Sequence, residues 1–233
     1  MIEIKTLASG SKGNCYHITD GSTALLIEAG ISFKEIRRKL DFQTSNIAGC
    51  LVSHEHQDHC KAVSDVMRAG IDVYMSEGTA SEINATGHRV QLVKSKQSFR
   101  LGTWTVLPFD VHHDVSEPLG FLLANQARDK LLFASDTYYI KYKFKGLTHL
   151  LLECNYSLDI LNENIEIGRV HKAMKKRLLR SHFSLENVKE FLRANDLSRV
   201  QEIHLLHLSD TNSDEARFKR EIQELTGKLV YVS

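Results

Sequence analysis

The chain has few of the residues that staple, break or anchor a protein. Its 233 residues hold four cysteines (Cys15, Cys50, Cys60, Cys154), scattered and without a Cys-x-x-Cys pair. That spacing excludes a disulfide frame and reads as reduced thiols in a cytoplasmic protein. The only prolines are Pro108 and Pro118, near one presumed loop. No apolar run approaches the ~20 residues of a membrane span. Met1-Ile2-Glu3-Ile4-Lys5 reads as a strand and not as a signal peptide. The formal net charge is +1, which gives no long-range field toward nucleic acid but leaves room for a local basic patch. Internal repeats and low-complexity linkers are missing as well. With 42% apolar and 25% charged residues, one soluble globular domain over residues 1–233 is expected.

Histidine, in contrast, is plentiful at 12 residues, and it clusters. Leu51-Val52 leads into Ser53-His54-Glu55-His56-Gln57-Asp58-His59-Cys60. His54 and His56 are two apart, so an extended backbone turns both rings to one side. Asp58 and His59 follow where the chain should turn, which gives a second set of donors close by. Imidazole and carboxylate together suit zinc, manganese or iron, and a binuclear site needs ions about 3.5–4 Å apart. A solvated polar turn is the plainer reading, but four potential ligands in this order favour metal.

The rest of the chain alternates strand and helix patterns. Ala8-Ser9-Gly10-Ser11-Lys12-Gly13-Asn14 is a turn between strands that could offer N–H groups, with Ser11 and Lys12, to a phosphate. Asp20-Gly21 marks a hairpin, and Ser32 with Glu35 a capping box. Ile47–Val52 reads as the strand before the histidine loop, and 61–68 as one helix after it, with Asp58 and His59 at its N-terminus. Strands are expected at 90–93, 104–109, 121–123, 130–134, 149–152 and 200–207. A basic helix carries Lys175, Lys176 and Arg180, with Met174, Leu178 and Leu179 as its apolar positions. Its simplest reading is an amphipathic helix with a wet face. Ser184 should cap the next helix, and a last helix should cover 213–225. His112 and His113 are neighbours that the residues alone leave interchangeable.

His-x-His-x-Asp-His resembles the signature of the metallo-β-lactamase superfamily. Leu7–Cys15, His113-Asp114-Val115 with Glu117-Pro118, and Ser181-His182-Phe183-Ser184 are similar to its YycJ/WalJ-like, nuclease-like branch. Leu26-Ile27-Glu28-Ala29-Gly30 is similar to the superfamily's first motif, with glutamate in place of the usual aspartate. Tyr156 stands where the branch has histidine, and Ser181 where it has glycine. The resemblance implies an α/β fold, the four-layer αββα sandwich, with no inserted β-CASP-type domain. It implies two divalent metal ions, zinc or manganese: His54, His56 and His113 on one, Asp58, His59 and His207 on the other, and Asp136 bridging. Asp58 would also orient a nucleophilic hydroxide held between the metals, and His182 would donate a proton to the leaving oxygen. Ser11, Lys12, Asn155, Lys175, Lys176, Arg180 and Ser184 are candidates for substrate contacts.

The implied reaction is hydrolysis of a phosphodiester in nucleic acid, as a DNA exonuclease working from a 5′ end. The runner-up is a small-molecule phosphodiesterase acting on cyclic nucleotides, or another ester hydrolase. A flavo-diiron redox protein would carry glutamate where this chain has His56. Without an inserted domain, grip on the substrate falls to loops, the basic helix or a second subunit in a homodimer.

Overall fold

The opening residues alternate as half-buried strands must, and they pair as such. In the computed structural model, which describes residues 2–233, β1 (Glu3–Ala8) runs antiparallel to β2 (Cys15–Thr19), and β2 to β3 (Ala24–Ile27). Asp20 closes the second turn by accepting the N–H groups of Ser22 and Thr23, and Gly21 adopts φ +89° there. From β3 onward the pairing is parallel. β4 (Ile47–Leu51), β5 (Val73–Met75) and β6 (Val90–Leu92) extend the sheet in order. Parallel neighbours need crossovers, and helices supply them: α1 (Phe33–Lys39), then α2 (Gln57–Cys60) with α3 (Val63–Arg68), then α4 (Glu77–Glu82). α1 starts at the expected capping box, Ser32 Oγ accepting from Glu35 N and Glu35 Oε2 from Ser32 N. Leu26, Cys50, Val73 and Met75 from the strands bury against Ile36, Val63 and Val66 from the helices. An antiparallel meander follows: β7 (Phe99–Leu101), β8 (Trp104–Asp110) and β9 (Leu119–Ala124). These elements make the first of two compact units, which runs to Asp110 and includes Val115–Asp129.

The second unit takes in Val111–Asp114 and Lys130–Ser233. Its strands are β10 (Lys130–Ala134), β11 (His149–Glu153), β12 (Glu202–Leu206) and β13 (Leu229–Val232), paired in parallel in that order. β11 is buried along its whole length: Leu150, Leu151 and Leu152 form its apolar run, with His149 and Glu153 buried at either end. Between β11 and β12 lie α5 (Leu158–Glu166), α6 (Lys172–Ser181) and α7 (Leu185–Ala194), and α8 (Glu215–Thr226) precedes β13. Ser184 caps α7 through a bond from Asn187 N, as expected.

The structure departs from the sequence reading in three places. The helix expected at 61–68 begins only at Val63, as α3, because Ala62 gives its N–H to Ala29 O and not to a preceding turn of the same helix. Asp58 and His59 therefore lie inside the short α2. α6 does not bury an apolar stripe: Met174 and Leu179 are 43% and 40% exposed, and only Ser181 is buried. The short strand β7 and the helix α5 add elements where no pattern had been read. Among the described residues, no helix is long and apolar enough to cross a membrane.

Candidate metal centre

In the first unit, β4 delivers the histidine loop. Ser53 Oγ holds His54 Nδ1 at 2.8 Å, and His54 Nε2 lies 3.2 Å from His56 Nδ1. The His54 and His59 rings are 4.1 Å apart, and His59 Nε2 is 3.5 Å from Asp58 Oδ2. The loop is braced from two sides. Asn14, fully buried in the glycine-rich turn, donates N–H to Asp58 O at 2.7 Å, and its Nδ2 lies 3.1 Å from His59 Nε2. Ala29 N donates to His59 O, and Gly30 N to Asn14 O. Gly30 passes so close to Asp58 that an added Cβ would sit 1.6 Å from the Asp58 carbonyl oxygen. The turn thus supports the loop from behind, while Ser11 and Lys12 stand on its exposed side.

Glu28 completes this half. It is fully buried and adopts φ +67°, which carries its side chain over the end of β3. Oε2 accepts from Ser53 N at 3.3 Å and lies 3.6 Å from His59 Nδ1, while Oε1 has no hydrogen-bond partner. A buried carboxylate needs compensating charge. A carboxylate behind an imidazole whose other nitrogen takes a cation is a recurring metal-site arrangement. The donors fit a divalent ion.

In the second unit the strand ends converge on a second cluster. Asp136 follows β10 and His207 follows β12, both at positive φ (+47° and +53°). His207 Nδ1 lies 3.3 Å from Asp136 Oδ1 and 3.1 Å from Glu153 Oε1. His113 Nδ1 donates to the Ser181 carbonyl at 3.1 Å, which leaves Nε2 facing Asp136 Oδ2 at 3.9 Å. The His112 ring lies instead against Tyr138, tilted, and stacks on Tyr139. His182 Nδ1 lies 2.5 Å from Glu153 Oε1 and 4.0 Å from Asp136 Oδ2. Asp136, Glu153, His182 and His207 each present a donor atom within 4.8 Å of the others, a spacing that could hold a metal ion.

Glu153 had no role in the sequence reading, yet it organises this cluster. Fully buried at the end of β11, it receives Thr137 N at 3.0 Å and Phe183 N at 3.1 Å as well as the two imidazoles. Burial works against its charge, but His182 and these bonds hold its pKa below the ordinary glutamate value. Burial likewise opposes the His182 imidazolium, and the Glu153 carboxylate overcomes it, holding that pKa above the ordinary value. A charged residue directly after the apolar run Leu150–Leu152 is the available signal.

The remaining candidates are dispersed. Asn155 Nδ2 donates to His207 O, and Ser184 is spent on its cap. Lys175 Nζ bonds Asn162 Oδ1, and Lys176 and Arg180 lie on the exposed face of α6. Tyr156 is 1% exposed and bridges to Ser184, so it is packed inside the unit. His204 stacks on Tyr231 and contacts Glu202, away from the cluster.

A family profile described as Beta-lactamase superfamily domain matches residues 23–208, and the chain belongs to that superfamily. The chain is 29% identical over 230 residues to Exodeoxyribonuclease YycJ of Bacillus anthracis, covering 91% of this chain and 84% of that protein. It is 27% identical over 224 residues to Exodeoxyribonuclease WalJ of Streptococcus pneumoniae, covering 89% and 81%. The metallo-β-lactamase fold protein YhfI from Bacillus subtilis superposes with a TM-score of 0.76 at 13% identity, over 100% of this chain and 97% of that one. The fold is the α/β metallo-β-lactamase fold that the histidine motif implied, and the chain is a metal-dependent hydrolase of that class.

Proposed function

We propose that the chain is a binuclear metal-dependent phosphodiesterase acting on nucleic acid, specifically a DNA exonuclease that starts from a 5′ end in the cytoplasm. One observation carries this reading: the match to proteins named exodeoxyribonuclease extends over nine-tenths of the chain. The ligand assignment rests on motif order. His54, His56 and His113 would take one ion, Asp58, His59 and His207 the other, with Asp136 shared. Zinc and manganese both suit this donor set. Bound there, the ions would supply an acidified water and neutralise charge on the phosphoryl oxygens. Asp58 orients the attacking water, and His182, steadied by Glu153, gives a proton to the leaving oxygen.

The test is to supply zinc or manganese and follow 5′-phosphorylated single-stranded DNA beside cyclic mononucleotides, with His59→Ala as control. Shortening of the DNA, lost in the variant, supports the reading. Turnover of a cyclic nucleotide with DNA untouched overturns it in favour of the small-molecule phosphodiesterase.

A further inference from the structure

Immediately after Asp136 the second unit displays a stretch that the metal chemistry does not use. Residues 138–145 read Tyr-Tyr-Ile-Lys-Tyr-Lys-Phe-Lys, and Thr137–Gly146 contains no acidic residue. The backbone belongs to no helix or strand, and its burial alternates. Ile140 is buried and Tyr142 and Phe144 are half-buried, while Tyr139, Lys141, Lys143 and Lys145 are exposed.

The stretch is fixed at both ends. Tyr138 N donates to His112 O, Asn187 Nδ2 to Tyr138 O, and Thr137 Oγ1 accepts from Tyr139 N. At the far end Phe144 N donates to Asn195 Oδ1 at 2.7 Å, and its ring meets Phe191. A groove of about 200 Å³ runs alongside, lined by Tyr139, Lys141, Lys143 and Phe191, with Glu190 also on its wall. Tyr139 is 53% exposed and lies nearly parallel to the His112 ring at 6.0 Å, with 28° between the planes. It is a supported aromatic face turned to solvent, one residue from His113 by way of His112.

We infer that residues 138–145 are the platform for a single strand of nucleic acid leading away from the scissile phosphodiester: a base stacks on Tyr139, and Lys141, Lys143 and Lys145 track the following phosphates. An ordered row of an exposed aromatic and cations, free of acidic residues, is the combination that binds a single strand without reading its sequence. The overall charge of +1 makes such a local row the means of attracting a polyanion. This inference rests on the nuclease reading above.

The test compares the metal-loaded wild type with Tyr139→Ala and with Lys141→Ala/Lys143→Ala/Lys145→Ala. Two substrates are used: a 5′-phosphorylated single-stranded oligonucleotide and a dinucleotide too short to reach the row. All four positions are exposed, so the variants fold. For the oligonucleotide, KM should rise at least about fivefold in Tyr139→Ala. It should rise about tenfold or more in the lysine variant, whose log–log salt dependence should be shallower by about 2, at about 0.7 per phosphate contact. Dinucleotide turnover should stay at the wild-type value. Equal KM values for the oligonucleotide in wild type and variants would overturn the platform while leaving the nuclease reading intact. A wild type that hydrolyses the dinucleotide but no oligonucleotide would overturn both.

Discussion

Gly30→Ala tests whether the glycine-rich turn exists to place the metal loop. The added Cβ would lie 1.6 Å from Asp58 O, 2.3 Å from Asp58 C and 2.7 Å from Asn14 N, all backbone atoms that no rotamer can move aside. Restoring the shortest contact from 1.6 Å to a tolerable 3.0 Å means displacing Gly30 and Asp58 by about 1.4 Å. Asp58 O also accepts from Asn14 N, so the shift propagates into the residue beside His59. Overpacking of this kind costs about 1–3 kcal/mol. At about 2–4 °C per kcal/mol for a chain of this size, the melting temperature should fall by roughly 2–12 °C. Misplacing a reactive group by about 1 Å costs on the order of 100-fold in rate. Melting curves, metal titration and phosphodiester turnover would be measured together. Gly87→Ala is the control: its φ is +112° but nothing lies within 4 Å of the new Cβ, so it isolates backbone strain from collision. It should lose stability and keep its activity. A Gly30→Ala protein with wild-type melting, metal content and turnover would refute the reasoning.

Glu153→Ala strands two buried N–H groups, on Thr137 and Phe183. Each costs about 1–3 kcal/mol, so the unfolding free energy from denaturant titration should drop by about 2 kcal/mol or more, with Glu153→Gln intermediate. At Asp159 burial acts against ionisation, but the Arg217 guanidinium, which donates to Oδ2 at 2.6 Å, holds its pKa down at about 2. A depressed carboxylate lends stability above its ordinary value of 3.8 and loses it as pH falls toward 2, so Asp159→Asn should flatten the acid limb of a stability–pH curve across that window. The four thiols are buried, and burial raises Cys60 to about 11. Native protein should therefore react with a disulfide reagent far more slowly than urea-unfolded protein, and fast labelling of any one thiol would contradict its burial.

What the sequence made legible depended on how local each signal was. The histidine loop lies within six residues, and the Ser32–Glu35 box and the Ser184 cap are interactions between near neighbours, so pattern alone located them. Glu153 draws its partners from Thr137, His182 and His207, which are distant in the chain, and no spacing rule joins them. From sequence Asn14 is only part of a turn that could offer N–H groups to a phosphate, because its contacts to Asp58 and His59 cross more than forty residues of sequence. The start of the helix expected at 61–68 is illegible for a related reason. Its apolar periodicity holds through α3, but a hydrogen bond from Ala62 to Ala29, a residue before the loop, delays its start to Val63. The apolar positions of α6 suggested burial, yet Met174 and Leu179 remain exposed, and nothing in the periodicity distinguishes a stripe with a partner from one without.

Glu28 shows why the departure from aspartate in the first motif is tolerated. Non-glycine residues at positive φ are uncommon, and aspartate, asparagine and histidine tolerate that region better than others. Asp136 and His207 fit this preference, whereas Glu28, at φ +67°, does not. Aspartate would relieve the backbone, but its carboxylate would be withdrawn by about one carbon–carbon bond, roughly 1.5 Å. The bond from Ser53 N, already 3.3 Å, and the approach to His59, already 3.6 Å, would then be lost. The longer side chain therefore keeps the charge behind His59 at the cost of backbone strain. Glu28→Gln separates charge from shape. Removing a buried carboxylate with an unbonded oxygen should leave the metal-free protein as stable as wild type or more so. Loss of the charge behind a ligating imidazole should weaken metal affinity by about 10–100-fold. Opposite movements of melting temperature and metal affinity are the expected signature. Unchanged affinity would mean that Glu28 serves only the packing of the loop.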